Sequence, residues 1–546
     1  MSMRMRRSPP WPRQNLEQAL ERAATRWPDA EALVIAGRRL NYLELHQSAQ
    51  AYARALRASG IGHGDHVAVC MGNAVEWVEF FYGAAILGAV TVPVNTRFKA
   101  EELAYCLKQA DVKLLFTVDR FLKIDFIEML QGICPALKRR LPDAGLPLLK
   151  EIVVLGNNVP KGAIASAQWL ARGAGSAAAD SRTVDANDVL LIQYTSGTTS
   201  YPKGVMLSHD NMLRNAACVA PRFDCGAGDR YFSARPFYHV AGTTLSMLAA
   251  LTCGATLLST PTFEPGEALR LMAEERCTIT SGNDTMFLMM CNHPEFERYN
   301  VSLKSGWASA GPEASRQIIE RMQMRGLCHA YGLSEASPNV CMSWHDDDQE
   351  KRIGGWAHIL DEVEVEIRDP DSGRAQPAGQ SGEILVRGVS VMKGYYNMPE
   401  QTAKTIDADG WLHTGDLGLM DDDGRLRFLT RVKDVFRVGG ENVAPAEVED
   451  VLNRHPQVKQ AQVIGVPDPR LVEVPAAYII LREGETASPD DIIAWSRERM
   501  ANFRVPRYVR IVETFENIGM TGSAKVQKNK LRAQALIDFG LAEKST

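Results

Sequence analysis

The sequence lacks several patterns that would assign it to a specialised class of protein. No two cysteines have the C-x-x-C spacing, and none follows Cys341 in the chain of 546 residues. Neither a zinc pattern nor a disulfide framework is therefore predicted. No run of about 18 apolar residues occurs, so no membrane-spanning segment is expected. The formal net charge of −5 gives no indication of the basic face that a nucleic-acid partner needs. These absences favour a globular protein of the reducing cytoplasm, where isolated thiols persist.

The length of the chain predicts more than one domain, at roughly 100–200 residues each. Residues 1–14 contain four arginines and three prolines but no apolar run, which excludes a secretory signal and indicates a disordered leader. We expect a large domain over residues 15–432 and a small one over residues 433–546. The charged segment 430–440 between them ends in two glycines and offers a place where the chain bends.

Short apolar runs alternate with helical patterns through most of the chain. A capping box at Asn73 and Glu76 predicts a helix that runs to about Leu87, and residues 161–188 are predicted to be a surface connection because they are rich in Ala, Gly and Ser. Predicted strands of the large domain lie at 66–71, 90–94, 114–118, 152–155 and 189–194. This alternation predicts an α/β fold of helix-covered, mainly parallel sheets.

The last part of the chain has a different pattern. Helices are predicted near 447–453 and from about 489 to 500, and strands near 463–466 and 476–481. This order predicts a small α+β domain.

The most informative string runs from Thr195 to Gly204 and reads T-S-G-T-T-S-Y-P-K-G. Its hydroxyls, exposed backbone amides and single lysine suit the oxygen atoms of a polyphosphate. The spacing differs from G-x-x-x-x-G-K-[ST], so this is not the common phosphate loop. A polar surface turn is the simpler reading of any Ser/Thr/Gly cluster, but the whole ten-residue string favours phosphate binding.

The same string resembles the phosphate-binding loop of the adenylate-forming superfamily, which includes acyl-CoA synthetases, firefly luciferase and the adenylation domains of peptide synthetases. Further segments resemble the superfamily's motifs in the expected order, over essentially the whole chain beyond the leader. They are Ala310-Gly311-Pro312, Tyr331-Gly332-Leu333-Ser334-Glu335, Gly382-Glu383-Ile384, Lys393-Gly394-Tyr395-Tyr396, Thr414-Gly415-Asp416, Arg431-Val432-Lys433-Asp434, Gly439-Gly440-Glu441-Asn442, Pro445-Ala446-Glu447-Val448-Glu449 and Gly522-Ser523-Ala524-Lys525-Val526. The resemblance implies a large N-terminal domain of mainly parallel sheets with a smaller barrel-like β part, followed by a small mobile α+β C-terminal domain.

The resemblance also implies which residues bind ATP, Mg²⁺ and the adenylate. It gives Lys203 the neutralisation of phosphate charge, Glu335 the binding of Mg²⁺, and Lys525 the binding of the substrate carboxylate and α-phosphate during adenylation. Asp416 and Arg431 would hold ribose or phosphate oxygens. The other residues that it implies for the nucleotide and CoA are Thr195, Ser196, Gly197, Thr198, Thr199, Ala310, Gly311, Pro312, Tyr331, Gly332, Ser334, Lys433, Gly439 and Gly440. Departures from the usual motifs occur at Ser200, Ser309, Ala310, Ser334 and Thr430, and none of them removes a charged group.

The acyl pocket is read from His239, which the resemblance places beside the substrate carboxylate. Amino-acid-activating relatives have an aspartate at about this place, and this chain has no carboxylate there. A buried ammonium without a partner would be costly, so an α-amino acid is disfavoured. By resemblance the pocket further includes Thr243, Thr244, Asn283, Asp284, Met286 and Met290. This mostly apolar set favours a medium-chain, alicyclic or aromatic acid.

The implied activity is an AMP-forming acid–CoA ligase with ATP, Mg²⁺ and CoA. Adenylation and thiol attack need different surroundings, so the small domain is expected to turn about Lys433 and to open a path past Gly439 and Gly440. Three alternatives are left open: an adenylation enzyme that loads a separate carrier protein, a luciferase-like oxygenase, and a degenerate nucleotide sensor. The retained Lys203, Glu335 and Lys525 argue against the sensor. Whether the protein forms a homodimer is also left open.

Overall fold

A computed structural model describes residues 7–175, 184–195, 202–439, 441–515, 517–519 and 526–541. The chain forms two compact units. The first unit is Met1–Val365 with Val386–Leu412, and the second unit is Glu366–Leu385 with His413–Thr546. The functional boundary that the sequence predicts between residues 432 and 433 is a different kind of division, and it stays a prediction.

Strands are distributed along the whole described chain. They are β1 Glu31–Ile35, β2 Arg38–Asn41, β3 His66–Cys70, β4 Val90–Pro93, β5 Leu114–Val118, β6 Arg120–Phe121, β7 Ile124–Asp125, β8 Glu151–Leu155, β9 Ile164–Ala165, β10 Val189–Tyr194, β11 Gly204–Ser208, β12 Arg230–Phe232, β13 Thr256–Ser259, β14 Ile279–Asn283, β15 Ser305–Ser309, β16 Gly326–Gly332, β17 Asn339–Met342, β18 Ala357–Ile359, β19 Val363–Arg368, β20 Gly382–Gly388, β21 Gly394–Tyr395, β22 Leu412–Met420, β23 Arg425–Arg431, β24 Phe436–Val438, β25 Glu441–Val443, β26 Val458–Asp468, β27 Val472–Leu481 and β28 Tyr508–Ile511.

Helices alternate with these strands. They are α1 Leu16–Arg26, α2 Tyr42–Ala58, α3 Val75–Leu87, α4 Ala100–Gln109, α5 Phe126–Ile133, α6 Ser166–Gly173, α7 His209–Val219, α8 Val240–Gly242, α9 Ala249–Cys253, α10 Pro265–Glu274, α11 Asp284–Cys291, α12 Pro312–Arg321, α13 Gln349–Ile353, α14 Pro399–Thr405, α15 Pro445–Leu452, α16 Pro489–Arg497 and α17 Lys528–Asp538. Within the described chain, no helix has the length and apolar character that crossing a membrane would require.

The first unit contains two sheets whose central strands are parallel. One sheet has the order β21-β11-β10-β4-β3-β5-β8-β9, and β10, β11 and β21 pair antiparallel at one edge. The other has the order β18-β17-β16-β15-β14-β12-β13-β1-β2 within this unit, and it is parallel from β16 to β1. These findings confirm the predicted α/β class, since parallel strands need crossover helices on the sheet faces.

The predicted capping box at Asn73 and Glu76 is wrong. The N-cap of α3 is Ala74, which makes no side-chain hydrogen bond. The Asn73 side chain instead accepts from the backbone N–H of Phe237 at 2.8 Å and donates to the Arg235 carbonyl and to Ser259 Oγ, both at 2.9 Å. The Asn73 side chain thus makes tertiary hydrogen bonds instead of capping the helix, and these bonds fix the segment that leads to His239.

Two other predicted segments have defined contacts in their described parts, which leave out residues 1–6 of the leader and residues 176–183 of the connection. The surface connection predicted at 161–188 contains α6, whose Trp169 is fully buried and donates its indole N–H to Ser59 Oγ at 2.8 Å. In the predicted leader, the backbone N–H of Ser8 donates to Asp361 at 2.9 Å, and Ser8 Oγ donates to the Cys218 carbonyl at 2.8 Å. That part of the leader is anchored because these polar groups find partners in the first unit.

The second unit has its own apolar core. Its sheet has the order β25-β24-β27-β26, with antiparallel neighbours, and β28 pairs parallel with β27. Helices α15, α16 and α17 contribute Val448, Leu452, Ile492 and Leu531 to the core beside this sheet. The predicted helices near 447–453 and 489–500 and the predicted strands near 463–466 and 476–481 are confirmed.

All ten cysteines are free thiols, and most are buried. Burial raises the pKa of Cys70, Cys277, Cys328 and Cys341 to about 12, and that of Cys218 and Cys291 to about 11. Burial also raises the pKa of Cys106 and Cys134. The hydrogen bond with Cys253, together with burial, raises the pKa of Cys225. Nine thiols therefore stay protonated at neutral pH.

Candidate active site

The predicted site residues of the first unit gather at one edge of a parallel sheet. Strands β12, β14, β15 and β16 are parallel neighbours, so their carboxyl ends meet at one edge, where open α/β sheets bind ligands. His239 follows β12, Asn283 ends β14, Ala310 follows β15 and Gly332 ends β16. The sheet thus brings together residues that are widely separated in the sequence.

A hairpin between β10 and β11 carries the predicted phosphate loop on the other sheet. The backbone N–H of Thr195 donates to the carbonyl of Lys203 at 3.0 Å, which closes the base of this loop. Ser196, Gly197, Thr198 and Thr199 lie outside the described residues. Gly204 follows Lys203 at this base. A Cβ added at Gly204 would lie 2.8 Å from the Ile192 side chain.

A three-residue cluster connects the base of the predicted phosphate loop with the predicted metal ligand. The Lys203 ammonium lies 4.6 Å from the centre of the Tyr395 ring, a cation–π contact. The Tyr395 hydroxyl donates to Glu335 Oε1 at 2.9 Å. Tyr395 belongs to β21, which pairs with β11, so the same strand positions the lysine and the carboxylate. We call Lys203, Tyr395 and Glu335 the loop cluster.

Backbone contacts hold Glu335 in place. It lies in a short 3-10 turn, Ser334–Ala336, directly after β16, and its carbonyl accepts from the Met392 N–H at 2.8 Å. Gly332 permits this sharp reversal, because an added Cβ would lie 2.0 Å from the Pro338 carbonyl oxygen. Tyr331 is buried in β16, whereas Glu335 is partly accessible. A carboxylate in this setting is held by the protein and still reachable by a ligand.

His239 is exposed and precedes α8. Its Nδ1 accepts the backbone N–H of Ala241 at 3.1 Å. In the neutral ring this acceptor role places the proton on Nε2. The segment after α8, Thr243–Leu248, is a π-helix, a form that often occurs at functional sites.

The turn Ala310-Gly311-Pro312 begins α12. Gly311 is the N-cap and Pro312 occupies the first turn, where its missing N–H costs no hydrogen bond. Ala310 is buried, and a Cβ added at Gly311 would meet nothing within 4 Å. This turn therefore has open space beside it.

In the second unit, Asp416 and Arg431 form an ion pair. They face each other across β22 and β23, and Arg431 Nε lies 2.8 Å from Asp416 Oδ1. The Asp416 side chain is 3% exposed and that of Arg431 is 49% exposed. The arginine thus has the accessible end of the pair. Gly415, which precedes Asp416, has φ +65° and donates its N–H to Glu383 at 3.0 Å. This hydrogen bond fixes β22.

Lys433 and Gly439 lie near this pair in the sequence. Lys433 is the middle residue of a 3-10 turn, Val432–Asp434. Gly439 has φ +58° and donates its N–H to the Leu471 carbonyl at 2.9 Å, a conformation that favours glycine. Gly440 and Lys525 lie outside the described residues. The roles assigned to all these site residues stay predictions.

Sequence reasoning missed Tyr395, Asn73 and Arg235. The first lies in Lys393-Gly394-Tyr395-Tyr396, which the sequence indicated only as a structural segment. Asn73 was taken for a helix cap, although an isolated asparagine after an apolar strand is also suited to hold a neighbouring loop. Arg235 precedes Pro236-Phe237-Tyr238-His239, and a charged residue beside a predicted apolar pocket was the available signal.

Comparisons with known proteins identify related enzymes. A family model described as AMP-binding enzyme matches residues 20–396, and one described as AMP-binding enzyme C-terminal domain matches residues 447–525. The chain is 37% identical over 537 residues to YngI of Bacillus subtilis (strain 168), with 96% of this chain and 97% of YngI covered. It is 34% identical over 536 residues to the mitochondrial medium-chain acyl-CoA ligase ACSF2 of Rattus norvegicus, with 95% and 87% covered. Among solved structures, ATP-bound MatB from Rhodopseudomonas palustris matches with a TM-score of 0.82 and 28% identity, over 96% of this chain and 99% of MatB.

The chain therefore belongs to the AMP-binding enzyme family, within the adenylate-forming superfamily. It is an acyl-CoA synthetase of the AMP-forming type, an acid–thiol ligase that uses ATP and CoA.

Proposed function

We propose that this ligase activates a medium-chain, alicyclic or aromatic carboxylic acid as its acyl-AMP, releases pyrophosphate, and transfers the acyl group to CoA. The loop cluster carries this proposal, because a lysine at the base of a polyphosphate loop is joined through one tyrosine to an accessible carboxylate. The ACSF2 relative, a medium-chain acyl-CoA ligase, supports both the acid class and CoA as the acceptor.

The donor set of the loop cluster fits Mg²⁺ that arrives with the nucleotide. No group of three or more His, Cys, Asp and Glu side chains among the described residues could hold a metal by itself. Mg²⁺ usually needs only one or two carboxylates, because water and substrate phosphates complete its shell. Glu335 would hold the ion, which would supply positive charge to the pyrophosphate as it leaves.

The protein's own residues then act mainly by position and charge. The substrate carboxylate is already ionised, so no general base is needed for its attack on the α-phosphate. Lys203 would neutralise the leaving pyrophosphate, and His239 would donate from Nε2 toward the acid. Asp416 and Arg431 would bind the ribose hydroxyls and the phosphate. Catalysis of this kind rests on orientation and preorganised electrostatics.

A panel of acids with ATP, Mg²⁺ and CoA tests the proposal through the release of AMP. We expect continuous AMP formation with C6–C12, alicyclic or aromatic acids, at roughly the usual 1–1,000 turnovers per second, and formation of the matching acyl-CoA by mass spectrometry. AMP formation that needs a carrier protein instead of CoA would contradict the proposed acceptor. Activity restricted to short or very long acids would contradict the proposed acid class.

Tyr395→Phe is expected to raise the Mg²⁺ concentration for half-maximal rate about 3- to 10-fold. The change removes the hydrogen bond to Glu335 but keeps the ring beside Lys203. A hydrogen bond to a charged group contributes about 1.5–3 kcal/mol, and water at Glu335 replaces part of this contribution in the variant. The measurement is a Mg²⁺ titration of AMP formation, together with calorimetric binding of Mg²⁺–ATP.

Tyr396→Phe is the matched control. The Tyr396 hydroxyl donates to Asp111 at 2.9 Å, away from the loop cluster, so the control should keep the wild-type Mg²⁺ dependence. Equal Mg²⁺ dependence in both variants would remove Tyr395 from the positioning of Glu335.

A further inference from the structure

Arg235 has hydrogen-bonding capacity that the fold does not use. Its guanidinium stacks on the Trp307 indole, 4.2 Å from the ring centre. Its Nε and Nη2 are shielded from solvent and have no hydrogen-bond partner among the described residues. No described carboxylate lies within 4.0 Å of it, although Asp284 is near enough to favour its charge. Burial lowers the pKa of Arg235 to about 10, so the group is still cationic at neutral pH.

Arg235 is partly exposed as a whole, but two shielded donors of a cation without a partner are costly. Shielding a polar group without a partner costs about 1–3 kcal/mol and more for a charge, and the stacking on Trp307 returns only about 2 kcal/mol. Native proteins rarely keep such groups unless a ligand, ion or water uses them. A partner for Nε and Nη2 of Arg235 would offset this cost.

The polar groups beneath Arg235 are not that partner, because they satisfy one another. Trp307 Nε1 donates to the Tyr231 hydroxyl at 2.9 Å, and that hydroxyl lies 2.8 Å from Ser281 Oγ. Ser233 Oγ and Ser246 Oγ are 2.8 Å apart. These bonds form a closed network that does not include the guanidinium. Arg235 is consequently not required to complete it.

The location of Arg235 points to the acyl substrate as the partner. Arg235 follows β12 and Trp307 lies in β15, so the guanidinium lies at the same sheet edge as Asn283 and Ala310. Its backbone is fixed by Asn73, whose Nδ2 donates to the Arg235 carbonyl. A Cβ at Gly242 would come within 2.2 Å of the Pro236 carbonyl oxygen and 3.1 Å of that of Arg235, so α8 packs directly on this segment. His239, four residues later, belongs to the same segment.

We infer that the acid bears a second carboxylate, which binds Arg235 while the first carboxylate is adenylated. This inference rests on the proposed function. The Nε–H and Nη2–H of a guanidinium point in parallel from one edge and match the two oxygens of a carboxylate. Nε and Nη2 are shielded from solvent, so this binding requires neighbouring side chains to move. The product is then the mono-CoA thioester of a dicarboxylic acid.

The test compares α,ω-dicarboxylic acids with methyl-terminated acids of equal carbon number, over several lengths, by kcat/KM for AMP formation. At the best length the wild-type enzyme should favour the dicarboxylic acid at least about tenfold, as expected for one charge-assisted hydrogen-bonded pair. Arg235→Met should lose this preference and favour the methyl-terminated acid. Arg270→Met is the matched control, because Arg270 is half-exposed on α10 and pairs with Glu267; it should keep the wild-type preference.

A binding measurement covers the case in which Arg235→Met is inactive. Nonreactive acyl-sulfamoyl adenosines with a terminal carboxylate or a terminal methyl group are titrated calorimetrically. The variant should bind the carboxylate form at least about tenfold more weakly than wild type does, and the methyl form no more weakly. Equal loss for both forms would overturn the inference.

The remaining outcomes separate this inference from the proposed function. If wild type favours methyl-terminated acids and Arg235→Met keeps that preference, the second carboxylate is excluded while the ligase activity stands. A preference for ω-hydroxy acids over both classes overturns the carboxylate as the group bound. If no acid yields AMP, the proposed function fails, and the inference fails with it.

Discussion

Lys525→Ala is expected to slow acyl-adenylate formation about 100- to 1,000-fold, the usual loss when one preorganised electrostatic contact to the transition state is removed. Thioester formation from supplied acyl-AMP should remain near the wild-type rate, because thiol attack needs this lysine elsewhere. The two half-reactions are measured separately, as pyrophosphate exchange and as CoA-dependent release of AMP from the adenylate.

Described residues on either side of residues 520–525 make contacts within the second unit. The backbone N–H of Gln527 donates to the Gly519 carbonyl at 3.1 Å, and the Lys528 ammonium lies 2.5 Å from Glu449 Oε1 on α15. These contacts tie both the base of the segment and the start of α17 to the second unit.

Lys530→Ala is the control for Lys525→Ala. Lys530 is exposed on α17, and its replacement removes the same charge five residues away. Adenylation should be unchanged in the control. An equal loss of both half-reactions in Lys525→Ala would contradict the role given to this lysine, as would an equal effect of the two substitutions on adenylation.

Lys433→Pro is expected to leave adenylation largely intact and to reduce thioester formation at least about 100-fold, the loss that small misplacement of reacting groups can cause. In the proposed mechanism one active site serves two reactions whose best surroundings conflict, so a few backbone dihedral angles should change between them. Proline fixes φ near −65° and restricts the residue before it.

The turn at Lys433 makes this substitution informative. Lys433 is the second residue of the 3-10 turn Val432–Asp434, so proline there removes no hydrogen bond within the turn but restricts Val432 before it. Lys433→Ala controls for the loss of the side chain alone and should keep both rates. If Lys433→Pro also keeps both rates, the hinge lies elsewhere.

The sequence was sufficient for those parts of the fold that local pattern determines. The apolar runs at 66–71 and 114–118 are β3 and β5, because buried parallel strands are continuous in hydrophobicity. Asn73 and Trp169 show the limit. Both lie in stretches whose local composition predicts a cap or a loop, yet long-range partners at Phe237 and Ser59 determine their structure.

The same distinction applies to the site. Lys203 and Glu335 could be selected from motifs, but the tyrosine that joins them is 60 residues beyond Glu335, and its role depends on the pairing of β21 with β11. Arg235 could equally be read from the sequence. Its stacking on Trp307 and the two shielded donors that no described residue accepts distinguish it from a surface arginine, and neither property is encoded locally.

The burial of the cysteines protects the enzyme from acylation by its own acyl-adenylate. A mixed anhydride such as an acyl-adenylate acylates whichever thiolate reaches it first. Because burial keeps thiols such as Cys70, Cys328 and Cys341 protonated and out of reach, the chain offers little competition for the acyl group. The ligase can hold an acylating agent for the dwell time that a diffusing thiol requires, without becoming a substrate of its own intermediate.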